Sequence, residues 1–160
     1  MIIFINGSIN SGKSTIAKLL AESLGNTANI EVDKIRNFVD FMPLEQSIPI
    51  NLKNTVDLIK NFVENGLNVV IPYPLSQKNY EYFVDKLKDI DTKIWVFTLA
   101  PKLEKVLLNR GNRELDEWEI SRIKHHYEVG IHNPSFGEII DNSDQLPEET
   151  TKIILDIINK

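Results

Sequence analysis

The run Gly7-Ser8-Ile9-Asn10-Ser11-Gly12-Lys13-Ser14 is a complete G-x-x-x-x-G-K-[ST] pattern, and it constrains this chain more than anything else in the sequence. An apolar stretch, Ile2-Ile3-Phe4-Ile5, stands immediately before it. A helical stripe of Ile16, Leu19, Leu20 and Leu24 follows, closed by Gly25. A strand that runs through such a loop into a helix curls successive backbone N–H groups into a concave anion site. The helix adds its free first-turn N–H groups and the positive end of its dipole. The expected nucleotide-binding set is Gly7, Ser8, Asn10, Ser11, Gly12, Lys13, Ser14 and Thr15. Lys13 would reach the β- and γ-phosphates as a point charge, and the Ser14 hydroxyl would ligate Mg²⁺. The dinucleotide fingerprint G-x-G-x-x-G is excluded, because position 9 is Ile and that fold has no use for Lys13-Ser14. The ligand expected is therefore a triphosphate, ATP with Mg²⁺.

Further short apolar runs rich in Ile, Val or Phe occur at Asn29–Val32, Asn68–Ile71, Lys93–Leu99 and Glu138–Ile140. Helical patterns lie between them. Leu52, Val56, Ile59 and Val63 form one stripe, and Tyr80, Phe83, Val84 and Leu87 follow a candidate N-cap, Ser76. Leu103, Val106 and Leu107 follow Pro101, which suits a first helical turn. Ile120, Ile123 and Tyr127 share a face after Asp116-Glu117, and Pro147-Glu148-Glu149 opens a last helix. Strands alternating with helices predict an α/β fold around a mostly parallel sheet, with ligands at the carboxyl ends of its strands.

That edge is where the other candidates fall. Asp33 is expected at the end of the second strand, beside the phosphate loop. A carboxylate there would take the proton of an attacking hydroxyl, help hold Mg²⁺, or cap the helix starting at Lys34. Arg36 would bind an anionic or polar acceptor, or stand in solvent. Tyr73 and the proline-punctuated stretch Phe41–Pro49 either shape an acceptor pocket or simply connect elements. Arg110 and Arg113, three apart around a glycine, would neutralise charge on a transferring phosphoryl group from a lid over about residues 110–130. Alternatively, they are surface cations at a helix end. His125, His126 and His132 have no carboxylate at metal-ligand spacing and are read as solvent-exposed or as acceptor contacts. The third strand carries no Walker-B aspartate, and no Asn-Lys-x-Asp guanine signature occurs, which weighs against motor ATPases and GTPases.

Composition narrows the setting. The 160 residues suit one domain, and a net charge of −5 with interleaved signs argues against a surface that coats nucleic acid. The chain has no cysteine, which excludes disulfides and thiol chemistry. No stretch approaches the ~20 apolar residues of a membrane helix, and no basic n-region precedes the first apolar run. The expected compartment is the cytoplasm, and the expected state a monomer or homodimer.

The order of parts resembles the shikimate kinase, gluconate kinase and chloramphenicol phosphotransferase group of small P-loop kinases along nearly the whole chain. The resemblance rests on the loop from Gly7, Asp33 after strand two, Arg110-Gly111-Asn112-Arg113, and Asp141-Asn142-Ser143 ahead of Pro147-Glu148-Glu149. It implies a three-layer P-loop NTPase fold: a five-stranded parallel sheet in order 2-3-1-4-5, helices on both faces and a small lid. It also implies that Asp33 activates the acceptor, that Arg110 lies near the adenine and phosphates, and that Asp141, Asn142 and Ser143 form the loop beneath the adenine. The chain departs from shikimate kinases in having Pro72-Tyr73-Pro74 where they carry a glycine-rich turn, and Glu31 where they pair a second aspartate. The resulting expectation is transfer of the γ-phosphoryl group of ATP to a hydroxyl of a small-molecule acceptor. The alternatives are a nucleoside, nucleotide or polynucleotide 5′-hydroxyl kinase, and an ATP-binding regulatory module without an acceptor.

Overall fold

The computed structural model describes residues 1–108 and 114–160. Its centre is β1 (Ile2–Gly7), every residue of which is buried. Alternation along a strand sends Ile2 and Phe4 to one face and Ile3 and Ile5 to the other, and both sets are apolar because both faces are covered. β3 (Asn68–Pro72) and β4 (Ile94–Leu99) flank β1 in parallel register, with Ile5 opposite Pro72 and Phe97. β2 (Thr27–Asn29) and β5 (Glu138–Ile140) form the edges. The sheet is parallel with order β2-β3-β1-β4-β5, as the resemblance implied.

On one face, Ile3, Ile5, Val70, Phe97 and Leu99 pack against Ile16, Ala17 and Leu20 of α1 (Lys13–Leu24) and Ile154 of α7 (Pro147–Ile158). On the other, Phe4, Val69 and Ile71 meet three helices: α2 (Val32–Arg36), α3 (Leu44–Glu64) and α4 (Gln77–Leu87). Phe4 and Phe83 lie 4.9 Å apart between ring centres. Ser76 caps α4, its hydroxyl accepting from the Asn79 N–H at 3.2 Å. A short α5 (Leu103–Val106) and α6 (Glu117–Glu128) close the carboxyl edge. A capping box between Asp116 and Glu119 starts α6.

Three sequence expectations shift. The second strand lies at Thr27–Asn29, not Asn29–Val32. Ile30 and Val32 are buried because the chain is already turning into α2, whose N-cap is Glu31. Asp33 is therefore the second residue of a helix rather than the last of a strand. Residues 44–49 are helical, and Pro49 sits inside α3. The ring removes the N–H that would bond the Glu45 carbonyl, yet burial of Leu52, Val56 and Ile59 further along keeps the helix running through it. Pro101 lies ahead of α5, whose N-cap is Lys102, rather than in its first turn.

One polar side chain crosses this apolar centre. Asn6 is fully buried, and its amide donates to Thr98 Oγ1 at 3.0 Å and to the Ile131 carbonyl at 3.1 Å. Its own carbonyl oxygen accepts from the Leu75 N–H at 2.7 Å. Removing that amide strands three buried polar groups, each costing about 1–3 kcal/mol. Asn6→Ala should lower the free energy of unfolding by at least about 3 kcal/mol. The check is a lower urea midpoint at unchanged slope.

Candidate nucleotide-binding site

The loop after β1 has the backbone that its sequence requires. Gly7 has φ +142°, and a Cβ there would stand 2.7 Å from the Leu99 carbonyl oxygen and 2.6 Å from Ser11 Oγ, so only glycine fits. Gly12, at φ +98°, is the N-cap of α1, and Asn10 takes the left-handed region at φ +63°. Asn10 tolerates that conformation because its short amide finds backbone partners. It donates to the Val106 carbonyl at 2.8 Å and to that of Leu108 at 3.0 Å, binding the loop to the end of α5. Inside the curl, the Lys13 ammonium donates to the Ser8 carbonyl at 2.6 Å. Ser8 and Ser11 are buried.

An open cleft of about 600 Å³ lies over this loop. Asn10, Gly12, Lys13, Ser14 and Thr15 line one side, and Asp33 lines it from α2. At the far end Asn142, Gln145, Pro147 and Thr150 complete the wall. Asn142 is buried and donates to the Ser11 carbonyl at 3.0 Å, so the loop after β5 braces the phosphate loop. Asp141 and Ser143 do not line the cleft. The Asp141 carboxylate accepts from the Ser143 N–H and hydroxyl, which hold it below the usual carboxylate range. The Ser143 hydroxyl also accepts from the Lys102 N–H at 2.9 Å. These bonds fix the turn that presents Asn142.

Tyr73 follows β3, and Asp33 stands close enough to perturb it. Burial raises the Tyr73 phenol to about 12, the Asp33 carboxylate adds to the rise, and the Arg122 guanidinium of α6 opposes it. Arg36 is three residues beyond Asp33 and so on the same side of the helix; its Nε is buried with no hydrogen-bond partner. Arg110 and Arg113 lie outside the described residues. For Mg²⁺ the donor set is oxygen only, Ser14 and Asp33 on one cleft. No group of three His, Cys, Asp or Glu forms a metal cage among the described residues. That fits an ion which dehydrates reluctantly and shares its shell with substrate phosphates and water.

Two residues of α6, Arg122 and His126, reach these groups in a way no motif marks. Arg122 stands among charged surface residues of a helix and carries no pattern of its own. His126 had a signal: it is three residues past Ile123, on the buried side of α6. Of the two readings given for the histidines, solvent exposure fails at His126. It is only 6% exposed, with Nδ1 3.3 Å from Ser8 Oγ. His125 is exposed, and His132 stacks on Tyr127 with ring centres 4.2 Å apart.

The fold is that of small P-loop kinases. The tunicamycin resistance protein of Deinococcus radiodurans superposes with TM-score 0.74 at 20% identity, covering 98% of this chain and 94% of that one. A sugar kinase from a Janibacter species gives 0.74 at 16% identity, covering 99% and 94%. The shikimate kinase of Aquifex aeolicus gives 0.61 at 18% identity, covering 99% and 96%. By sequence alone, no protein-family model and no curated protein matches the chain. At such identities the likeness establishes the fold and leaves the chemistry to the site. No helix among the described residues is long and apolar enough to cross a membrane.

Burial of His126, with Arg122, Lys13 and His125 nearby, pushes its imidazole from 6.5 down to about 4. Above pH 6.5 it is mostly neutral in both folded and unfolded chains. As the pH falls below that, the unfolded chain takes the proton first, so stability is lost between about 6.5 and about 4. The loss should approach about 3 kcal/mol at the acid end. Melting temperatures of wild type and His126→Asn between pH 7.5 and 4.5 check it, with the wild type expected to fall more steeply.

Proposed function

We propose that this protein is an ATP-dependent kinase that transfers the γ-phosphoryl group to a hydroxyl of a small-molecule acceptor. The observation that carries the reading is the convergence of Lys13, Ser14 and Asp33, from two helices, on one cleft at the carboxyl edge of the sheet. In this reading the acceptor oxygen forms its bond to the γ-phosphorus as the bond to the β,γ-bridging oxygen breaks, and ADP leaves with that electron pair. Asp33 takes the acceptor's proton. Lys13 moves from the Ser8 carbonyl to the β- and γ-phosphates and steadies their charge. Ser14 and Asp33 would hold Mg²⁺, which when bound neutralises charge on the phosphates. Arg110 and Arg113 are proposed to cover the transferring group.

Arg36, Tyr73 and Asp33 are proposed to receive the acceptor, with Arg122 as a fourth member. One guanidinium, Arg36, a helical turn beyond Asp33 and another, Arg122, acting on Tyr73 favour an acceptor that carries negative charge besides its hydroxyl. A tyrosine held neutral up to about 12 supplies a hydrogen bond without adding charge.

The test is ADP release from Mg²⁺-ATP against hydroxylated acids, neutral sugars, phenicol- and aminoglycoside-type antibiotics, nucleosides, nucleoside monophosphates and a 5′-hydroxyl oligonucleotide. Hydroxylated acids should stimulate most. Lys13→Ala should lower the stimulated rate on the order of 10²–10³-fold, and full turnover in that variant would sink the assignment. Asp33→Asn should keep ATP binding and suppress acceptor phosphorylation. Equal loss of both would make Asp33 a metal or folding residue instead.

A further inference from the structure

His126 belongs to α6, 118 residues from the loop it touches, and nothing in phosphate binding as described above requires it. Yet it is buried against that loop, and the loop residue it contacts is itself held at two points. The Ser8 side-chain oxygen meets His126 Nδ1 at 3.3 Å, while the Ser8 backbone carbonyl accepts from Lys13 at 2.6 Å and from the Ser11 N–H at 3.3 Å. The same end of α6 is anchored twice more. The Tyr127 hydroxyl donates to the Pro101 carbonyl, and the Ile131 carbonyl just past the helix accepts from Asn6. The base of α6 is thus a fixed post against the carboxyl ends of β1 and β4. His126 is the side chain through which that post reaches the phosphate loop.

Two cations face His126, Arg122 on α6 and Lys13 on α1, and the His125 ring lies 6.5 Å from its own. A buried imidazole facing two cations is kept neutral. A neutral imidazole pairs with a hydroxyl in either tautomer, one donating and the other accepting. The contact therefore needs no particular proton placement, and it adds no charge that would compete with Lys13 for phosphate.

We propose that His126 is a positioning residue for the phosphate loop. By holding the Ser8 side chain, it keeps the loop curled when nucleotide draws Lys13 away from the Ser8 carbonyl. The proposal rests on the nucleotide-binding reading of that loop and extends it to a helix that the motif does not include. While the cleft is empty, Lys13 and His126 both restrain Ser8. Once Lys13 has moved to phosphate, the Ser11 N–H still holds the Ser8 carbonyl, and the His126 contact is the restraint that stays on the Ser8 side chain.

The test is a double-mutant cycle on Mg²⁺-ATP affinity, measured by calorimetry without acceptor. His126→Ala and Ser8→Ala should each weaken ATP binding about three- to ten-fold, the equivalent of one hydrogen bond. The double variant should bind no more weakly than either single one. His126→Asn, whose amide can replace Nδ1 as donor or acceptor, should restore most of the affinity. In steady state the effect should fall on the KM for ATP and leave the KM for acceptor unchanged. Unchanged ATP affinity in His126→Ala, or losses that add in the double variant, would overturn the proposal while leaving the kinase reading intact. A wild-type protein that binds no ATP would remove both. If His126→Ala does not fold, Ser8→Ala and His126→Asn carry the same comparison, and a ten-fold loss in His126→Asn with Ser8→Ala unaffected would overturn it.

Discussion

The buried amide of Asn6 is the constraint on which the working edge of this protein depends. It sits at the last turn-free position of the central strand, and its three hydrogen bonds reach Thr98 in β4, the backbone at Leu75 after β3, and the backbone at Ile131 after α6. A parallel sheet brings strand ends together only approximately, since each arrives from a separate crossover. The amide turns that approximate meeting into a defined one: the loops leaving three places in the chain share one polar centre. The phosphate loop begins one residue later at Gly7, so its position relative to the segment after β3 and to the end of α6 follows from Asn6.

From that centre the cleft is built by bracing rather than by dense packing. Asn10 ties the loop to α5, Asn142 ties it to the turn after β5, and His126 ties it to α6. All three are polar side chains meeting backbone or hydroxyl groups, which suits a loop whose N–H groups must stay available to a ligand. An apolar support would pack against the loop and cover the groups it has to present.

The parallel sheet and the phosphate loop were legible because they are written in local patterns: apolar runs of strand length, helical stripes, and one motif with fixed spacing; the strand order came only from the resemblance those parts carry. The slip of the second strand came from Ile30 and Val32, whose burial against α3 mimics strand alternation although the chain has already turned. The helical stretch around Pro49 was hidden because proline is a local breaker, whereas the helix is maintained by tertiary burial further along. The surroundings of Arg122 and His126 were illegible for a different reason, although the burial of His126 was signalled by its spacing from Ile123. What stands opposite them, Tyr73 and Ser8, lies at sequence separations no pattern spans. The wall formed by Gln145 and Thr150 is likewise a product of where α7 docks on α1.

Pro49 carries a consequence for motion. Without an N–H at that position, the first turn and a half of α3 has one fewer rung than the rest of the helix. The segment before it bears Phe38 and Phe41 almost fully in solvent. Few apolar contacts and a missing rung place residues 37–48 at the low end of the free-energy scale for local opening, well below the sheet. Amide protons there will exchange early, whereas those of Ile3, Ile5 and Val70 will exchange only with global unfolding. The stretch that follows Asp33 and Arg36 is thus a soft border on a stiff frame.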